Sequence, residues 1–201
     1  MLRAWVNVLS FLSSVEASLA ERIGETGALF CHFMTLWGLP VILVHIPGQI
    51  APAAGIALAA FYVFVIAGDV VLSVFGHHEL ETRRGMLDIT SVQEIRGEIL
   101  AALIKYVGGA VSFATIYSGL ESIAGRPVLH VNAASGTPYF DRLYFSFITI
   151  ATVGYGDIYP LTGWAKLTVI SEIGFGLGFA VLLFSMLVSR YIDLQRRKER
   201  D

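Results

Sequence analysis

The sequence predicts an all-α membrane protein: four transmembrane helices, a re-entrant element between the third and fourth, and an N-terminal amphipathic helix. Composition is the first observation. Of 201 residues, 55% are hydrophobic and only 15% charged, with a mean hydropathy of +0.68. An ordinary soluble domain is far less apolar. The second observation is a recurrence of apolar runs near the roughly 20 residues that cross a hydrocarbon core. The third is a glycine-bearing break between the last two runs, Thr152-Val153-Gly154-Tyr155-Gly156-Asp157. A spanning chain cannot leave irregular backbone facing lipid, so this break is buried in protein or lines an aqueous path.

Residues 1–26 read as an amphipathic interfacial segment. Arg3, Asn7, Ser10, Ser14, Ser18 and Glu21 recur at helical spacing, with Trp5, Val8, Leu9, Leu12, Val15 and Leu19 opposite. That pattern suits a helix lying along a membrane surface. A cleaved signal is the alternative, since Ser18-Leu19-Ala20 is a passable cleavage triplet, although Asn7 and Ser10 interrupt its apolar patch. Residues 27–76 form a transmembrane hairpin, with spans near 28–46 and 52–75 joined by the tight turn Pro47-Gly48-Gln49. Neither span carries the arginine ladder of a voltage-sensing helix.

Residues 77–98 form a polar cytoplasmic linker with Arg83, Arg84 and Arg96. Within it Ser91-Val92-Gln93-Glu94 is a capping box, which starts an interfacial helix near Val92. That helix turns into the third span, near 99–120. There Gly108, Gly109 and Ser112 offer a patch for close helix contact or, alternatively, a hinge. Residues 121–136 read as a polar loop. Thr137 as N-cap and Pro138 in the first turn then start a helix, Tyr139–Ala151, too short to span and ending at the glycine break. The last span runs near 163–191, and the tail 193–201 is rich in Lys and Arg. Positive charge thus gathers at both termini and in the linker, which places all three in the cytoplasm.

Glycine adopts positive φ without a Cβ penalty. With Gly154 and Gly156 alternating with L-residues, successive carbonyls can all point one way. Four such strands around one axis stack rings of oxygens, with the Thr152 hydroxyl below, and such rings replace the water shell of a dehydrated cation. The hexapeptide resembles the selectivity-filter signature of potassium channels, for which the TVGYG loop is the standard example. The resemblance runs from about residue 99 to 190 as helix, pore helix, filter and helix.

The resemblance implies a pore domain over residues 99–192, with the re-entrant pore helix and selectivity filter between its two spans. Thr152, Val153, Gly154, Tyr155 and Gly156 bind K+, the permeant ion and the only metal expected. Tyr144, Phe145 and Asp157 support the filter, the two aromatics standing where the family packs rings around the filter tyrosine. Ile148 stands where some members keep a carboxylate partner for the filter aspartate. Gly176 falls at a common inner-helix glycine, and Phe184 and Val188 lie below it as gate candidates. One filter per chain implies a homotetramer in a lipid bilayer, multi-pass in the plasma membrane with both termini cytoplasmic.

Other signals have weaker readings. Gly174-Phe175-Gly176-Leu177-Gly178 fails as a dinucleotide fingerprint, because no strand precedes it. A packing face or a hinge remains, three glycines weakening a helix by about 1 kcal/mol each. Glu172 lies inside an apolar span, either functional or a protonated or hydrogen-bonded carboxyl that braces the pore helix. Asp69 and Lys105 share a depth of roughly 9 Å from the cytoplasmic face, at 1.5 Å per residue. They form an interhelical ion pair or, alternatively, Lys105 snorkels to the headgroups and Asp69 caps or contacts His32. His32, His45, His77, His78 and His130 show no metal-site spacing, and the single Cys31 allows no intrachain disulfide.

The net charge of −2 gives no nucleic-acid footprint. No ligand-binding domain and no enzyme motif is apparent. The competing functions are a low-selectivity cation channel, which normally shows an altered signature, and a potassium-translocating transporter subunit, which normally repeats the pore segment.

Overall fold

The computed structural model describes residues 37–75, 92–132 and 136–198. The expected amphipathic helix, the start of the first span, residues 77–91 of the linker and the end of the tail lie outside the described residues. Over the described ones the chain is mostly helical. Helix α1 (Leu39–Val44) has Pro40 in its first turn, where the missing N–H costs nothing. The chain reverses through Gly48, at φ 117°, into α2 (Ile50–Phe75). α1 folds back on α2 because position 55 has no side chain. A Cβ there would lie 2.8 Å from Val44 Cγ1 and 2.9 Å from the Pro40 carbonyl oxygen.

Helix α3 (Val92–Ala124) begins where the capping-box spacing predicts and then runs unbroken for 33 residues. The sequence reading expected an interfacial helix that turns into a separate span. The structure makes one helix about 50 Å long, at 1.5 Å per residue. Gly97 alone lacks the steric force of proline and leaves the i→i−4 ladder intact. After it come β1 (Leu129–Val131), α4 (Pro138–Ile150), β2 (Ile158–Pro160) and α5 (Gly163–Lys198). At 13 residues, α4 measures about 20 Å and cannot cross a bilayer alone. Among the described residues, Ile50–Gly68 and Gly163–Ser185 are long and apolar enough to span, with mean hydropathies of 2.3 and 2.0.

Lipid offers no hydrophobic drive for helix association, so close packing and interhelical hydrogen bonds have to supply it. α3 is built accordingly. The Phe175 ring of α5 fills the space at Gly109, where a Cβ would come within 2.6 Å of it, and Ile56 of α2 fills the space at Gly119. Gly108 receives the Trp37 ring, and Ser112 bonds back to the Gly108 carbonyl at 2.8 Å. The small residues of α3 therefore serve as contact surface, and the helix is continuous through them. Ser122 also donates to the Val44 carbonyl at 2.8 Å, tying the N-terminal hairpin to α3. The main core lies between α3, α4 and the two strands, built from Phe113, Ile116, Tyr117, Leu129, Phe145, Ile148 and Ile158.

α3 and β1 correct the expectation of a polar loop over 121–136, since 121–124 continue the helix and 129–131 form a strand. β1 and β2 pair antiparallel, Leu129 opposite Pro160, His130 opposite Tyr159 and Val131 opposite Ile158. Bonds from Leu161 N–H to the Val128 carbonyl (2.8 Å) and from Asn132 N–H to the Asp157 carbonyl (3.2 Å) extend the ladder at both ends. The segment leaving the glycine break is thereby fastened to the segment entering α4.

Candidate functional site

Residues 151–157 leave the end of α4 in a tight reversal. The Ile148 carbonyl accepts both Val153 N–H (2.8 Å) and Gly154 N–H (3.1 Å), and Thr152 N–H reaches the Thr149 carbonyl at 2.9 Å. Positive φ then recurs at every second residue: Thr152 at 56°, Gly154 at 54° and Gly156 at 80°. Alternation of backbone hand is the condition for successive carbonyls to face one side. Sequence reasoning assigned it to the two glycines and missed Thr152, where an L-residue in this region costs roughly 1–2 kcal/mol. The bonds at Ile148 and Thr149 hold that strain in place. All six residues from Ala151 to Gly156 are exposed in the single chain, Tyr155 at 71%.

Asp157 closes the C-terminal end of this segment. Its Oδ2 accepts the Tyr144 hydroxyl at 2.9 Å, so α4 grips the far end of the segment that its own C-terminus begins. That hydrogen bond, with burial and the Asp157 charge adding to it, holds the Tyr144 phenol above its ordinary pKa, so it stays a donor. Phe145, the neighbouring aromatic, turns to the other side and is buried edge-on against Tyr117 of α3, ring centroids 5.3 Å apart. Ile148 is buried in the core. Outside Asp157, His130 stacks on Tyr159 at 4.7 Å across the strand pair. Arg142 of α4 pairs with Glu121 at the end of α3, and Glu121 also accepts Val128 N–H at 3.0 Å.

Helix α5 runs beside α4 and meets it at two places one turn apart. Glu172 is wholly buried and joins three helices. Its Oε2 accepts the Tyr117 hydroxyl at 2.7 Å, and its Oε1 meets the Ser146 hydroxyl. One turn on, Gly176 packs against Ile150, where a Cβ would strike the carbonyl oxygen and lie 3.0 Å from Cγ1. Gly174 and Gly178 face open space. Below them Leu177, Val181, Phe184, Val188 and Ile192 form an exposed apolar stripe at helical spacing, Phe184 at 70%. Lys105 is half-buried on α3. The Asp69 side chain lies outside the described residues, so the structure does not place the Asp69–Lys105 pair.

The family model described as "Ion channel" matches residues 102–193. The chain is similar to Two-pore potassium channel 5 of Arabidopsis thaliana, 42% identical over 66 residues, which is 33% of this chain and 16% of that protein. It is similar to Two pore potassium channel c of Oryza sativa subsp. japonica, 44% identical over 78 residues, or 38% and 17% of the two chains. Probable potassium channel protein 2 of Methanocaldococcus jannaschii is 35% identical over 63 residues, covering 31% of this chain and 18% of its own. The chain thus matches less than a fifth of the length of each of these relatives. No solved structure matches.

Proposed function

We propose that the chain, whose residues 102–193 match the ion-channel family model and which is similar to potassium channels, forms a potassium-selective channel in which four copies surround one pore. The observation that carries this reading is the alternation of positive φ at Thr152, Gly154 and Gly156. Around a four-fold axis the carbonyls of Thr152, Val153, Gly154 and Tyr155 become stacked rings that replace potassium's hydration shell. One chain supplies a quarter of each ring. Exposure of the whole filter and of the apolar stripe on α5 supports burial of both against further copies.

In this assembly α4 is the re-entrant pore helix. Its C-terminal partial negative charge faces the cavity below the filter and favours a cation there. Helices α3 and α5 are the outer and inner pore spans, and the N-terminal hairpin packs outside α3. Charge placement puts both termini and the linker in the cytoplasm and the Asp157 end of the filter outside. Phe184 and Val188 close the cytoplasmic mouth as a ring that gates by dewetting. Bending of α5 begins where its contact with α4 ends, at Gly176.

Reconstitution in a planar bilayer with asymmetric KCl and NaCl tests the reading. The reversal potential is expected near that of potassium, with block by barium. Equal permeability to sodium and potassium overturns it in favour of a low-selectivity cation channel.

A further inference from the structure

The contacts at Glu172 fix where its proton must be. Ser146, Glu172 and Tyr117 are all fully buried, so water cannot complete their hydrogen bonds. The Ser146 hydroxyl has one proton and two oxygen neighbours, the Ala110 carbonyl at 2.8 Å and Glu172 Oε1. A carbonyl has no proton to give, so the serine proton goes to Ala110. The remaining contact is then a hydrogen bond only if the carboxyl supplies its own proton to Ser146 Oγ. On the opposite oxygen, the Tyr117 hydroxyl donates to Oε2. Three protons thus make three bonds in one direction: Tyr117 to Glu172, Glu172 to Ser146, Ser146 to the α3 backbone. An ionised Glu172 would leave Ser146 with one proton for two acceptors.

We propose that Glu172 acts as a neutral carboxylic acid, a positioning residue that sets the pore helix on the inner helix and thereby holds the base of the filter. The proposal rests on the reading of the chain as a potassium channel. Ser146 and Ile150 lie one turn apart on α4, and Glu172 and Gly176 one turn apart on α5. The polar contact of one pair and the close steric contact of the other form two successive rungs. Ile150 is followed directly by Ala151 and Thr152, so a displacement of α5 at these rungs reaches the filter within two residues. The titratable groups of α3 nearest to Glu172 are Tyr117 and Tyr106, each a phenol that accompanies a neutral acid without opposing it.

The test uses the full chain reconstituted in lipid. An infrared difference spectrum of wild type against Glu172→Gln is expected to show the carbonyl stretch of a protonated carboxyl in wild type only, from mildly acidic to mildly alkaline buffer. Gln can donate to Ser146 from its amide and accept from Tyr117 on its oxygen, so Glu172→Gln should keep the wild-type preference for potassium. Glu172→Leu and, if that variant fails to assemble, Ser146→Ala should lower the potassium-to-sodium permeability ratio by about tenfold or more, since each removes two of the three buried hydrogen bonds.

A conducting wild type without the protonated band overturns the proposal, as does a Glu172→Gln channel that loses selectivity like Glu172→Leu. If wild type carries no potassium current at all, the channel reading fails and filter positioning with it. The infrared band then still decides the protonation state.

Discussion

Alanine substitution along α5 separates the packing glycine from its neighbours. At Gly176 the new Cβ meets the Ile150 carbonyl oxygen, with Cγ1 at 3.0 Å and the carbonyl carbon at 3.2 Å. Two of these three atoms are backbone and have no rotamer to change. Relief requires moving α4 or α5, and overpacking of this kind costs about 1–3 kcal/mol per site. Replacing glycine by alanine inside a helix returns about 1 kcal/mol. The net expectation for Gly176→Ala is a destabilisation of roughly 0–2 kcal/mol per chain. At Gly174 and Gly178 a Cβ meets nothing of its own chain within 4 Å, so within one chain only the propensity gain of about 1 kcal/mol remains. Thermal unfolding of the purified protein in detergent should therefore order the variants with Gly176→Ala lowest and the other two at or above wild type. Since the shift falls beside the filter, Gly176→Ala should also lower open probability in bilayer recordings. A Gly176→Ala protein as stable as Gly174→Ala would refute the close contact with Ile150, and unchanged gating would separate that contact from conduction.

Further substitutions test the rest of the pore. Gly154→Ala should abolish current while the oligomer, read by size-exclusion chromatography, stays assembled; positive φ costs alanine about 1–2 kcal/mol per chain, or about 4–8 kcal/mol around a ring of four. Tyr144→Phe removes the donor to Asp157 and should speed loss of current during sustained opening, with a fall in unfolding temperature no larger than the loss of one half-buried hydrogen bond produces. Phe184→Ala should raise resting open probability, and single-channel records unchanged from wild type would move the gate to the filter. Asp69→Lys and Lys105→Asp should each lower thermal stability and the double swap should restore it; losses that simply add would show that the two residues do not interact.

The sequence by itself determined that apolar runs long enough to span a bilayer occur on both sides of a glycine-bearing break, and that a short helix ends at that break. Those properties follow from local chemistry: apolar runs the length of a bilayer, proline and threonine at the start of α4, and a hexapeptide whose glycines permit a backbone few other sequences adopt. Thr152 shows the limit of that reading, since its positive φ is imposed by bonds at Ile148 and Thr149 and not by its own preference. Tertiary structure decided everything that depends on contacts far apart in the chain. The three-residue strands at 129–131 and 158–160 are too short to carry a periodic signal, and each exists because the other pairs with it. Phe145 faces Tyr117 because α4 is rotated by its packing on α3. Glu172 in the sequence is a lone acid in an apolar run. The sequence leaves it either functional or a brace, and its partners are known only when residues 55 and 26 positions away, Tyr117 and Ser146, converge on its two oxygens. In lipid, helices recognise one another by shape and by unsatisfied polar groups, and neither is visible until the helices are laid side by side.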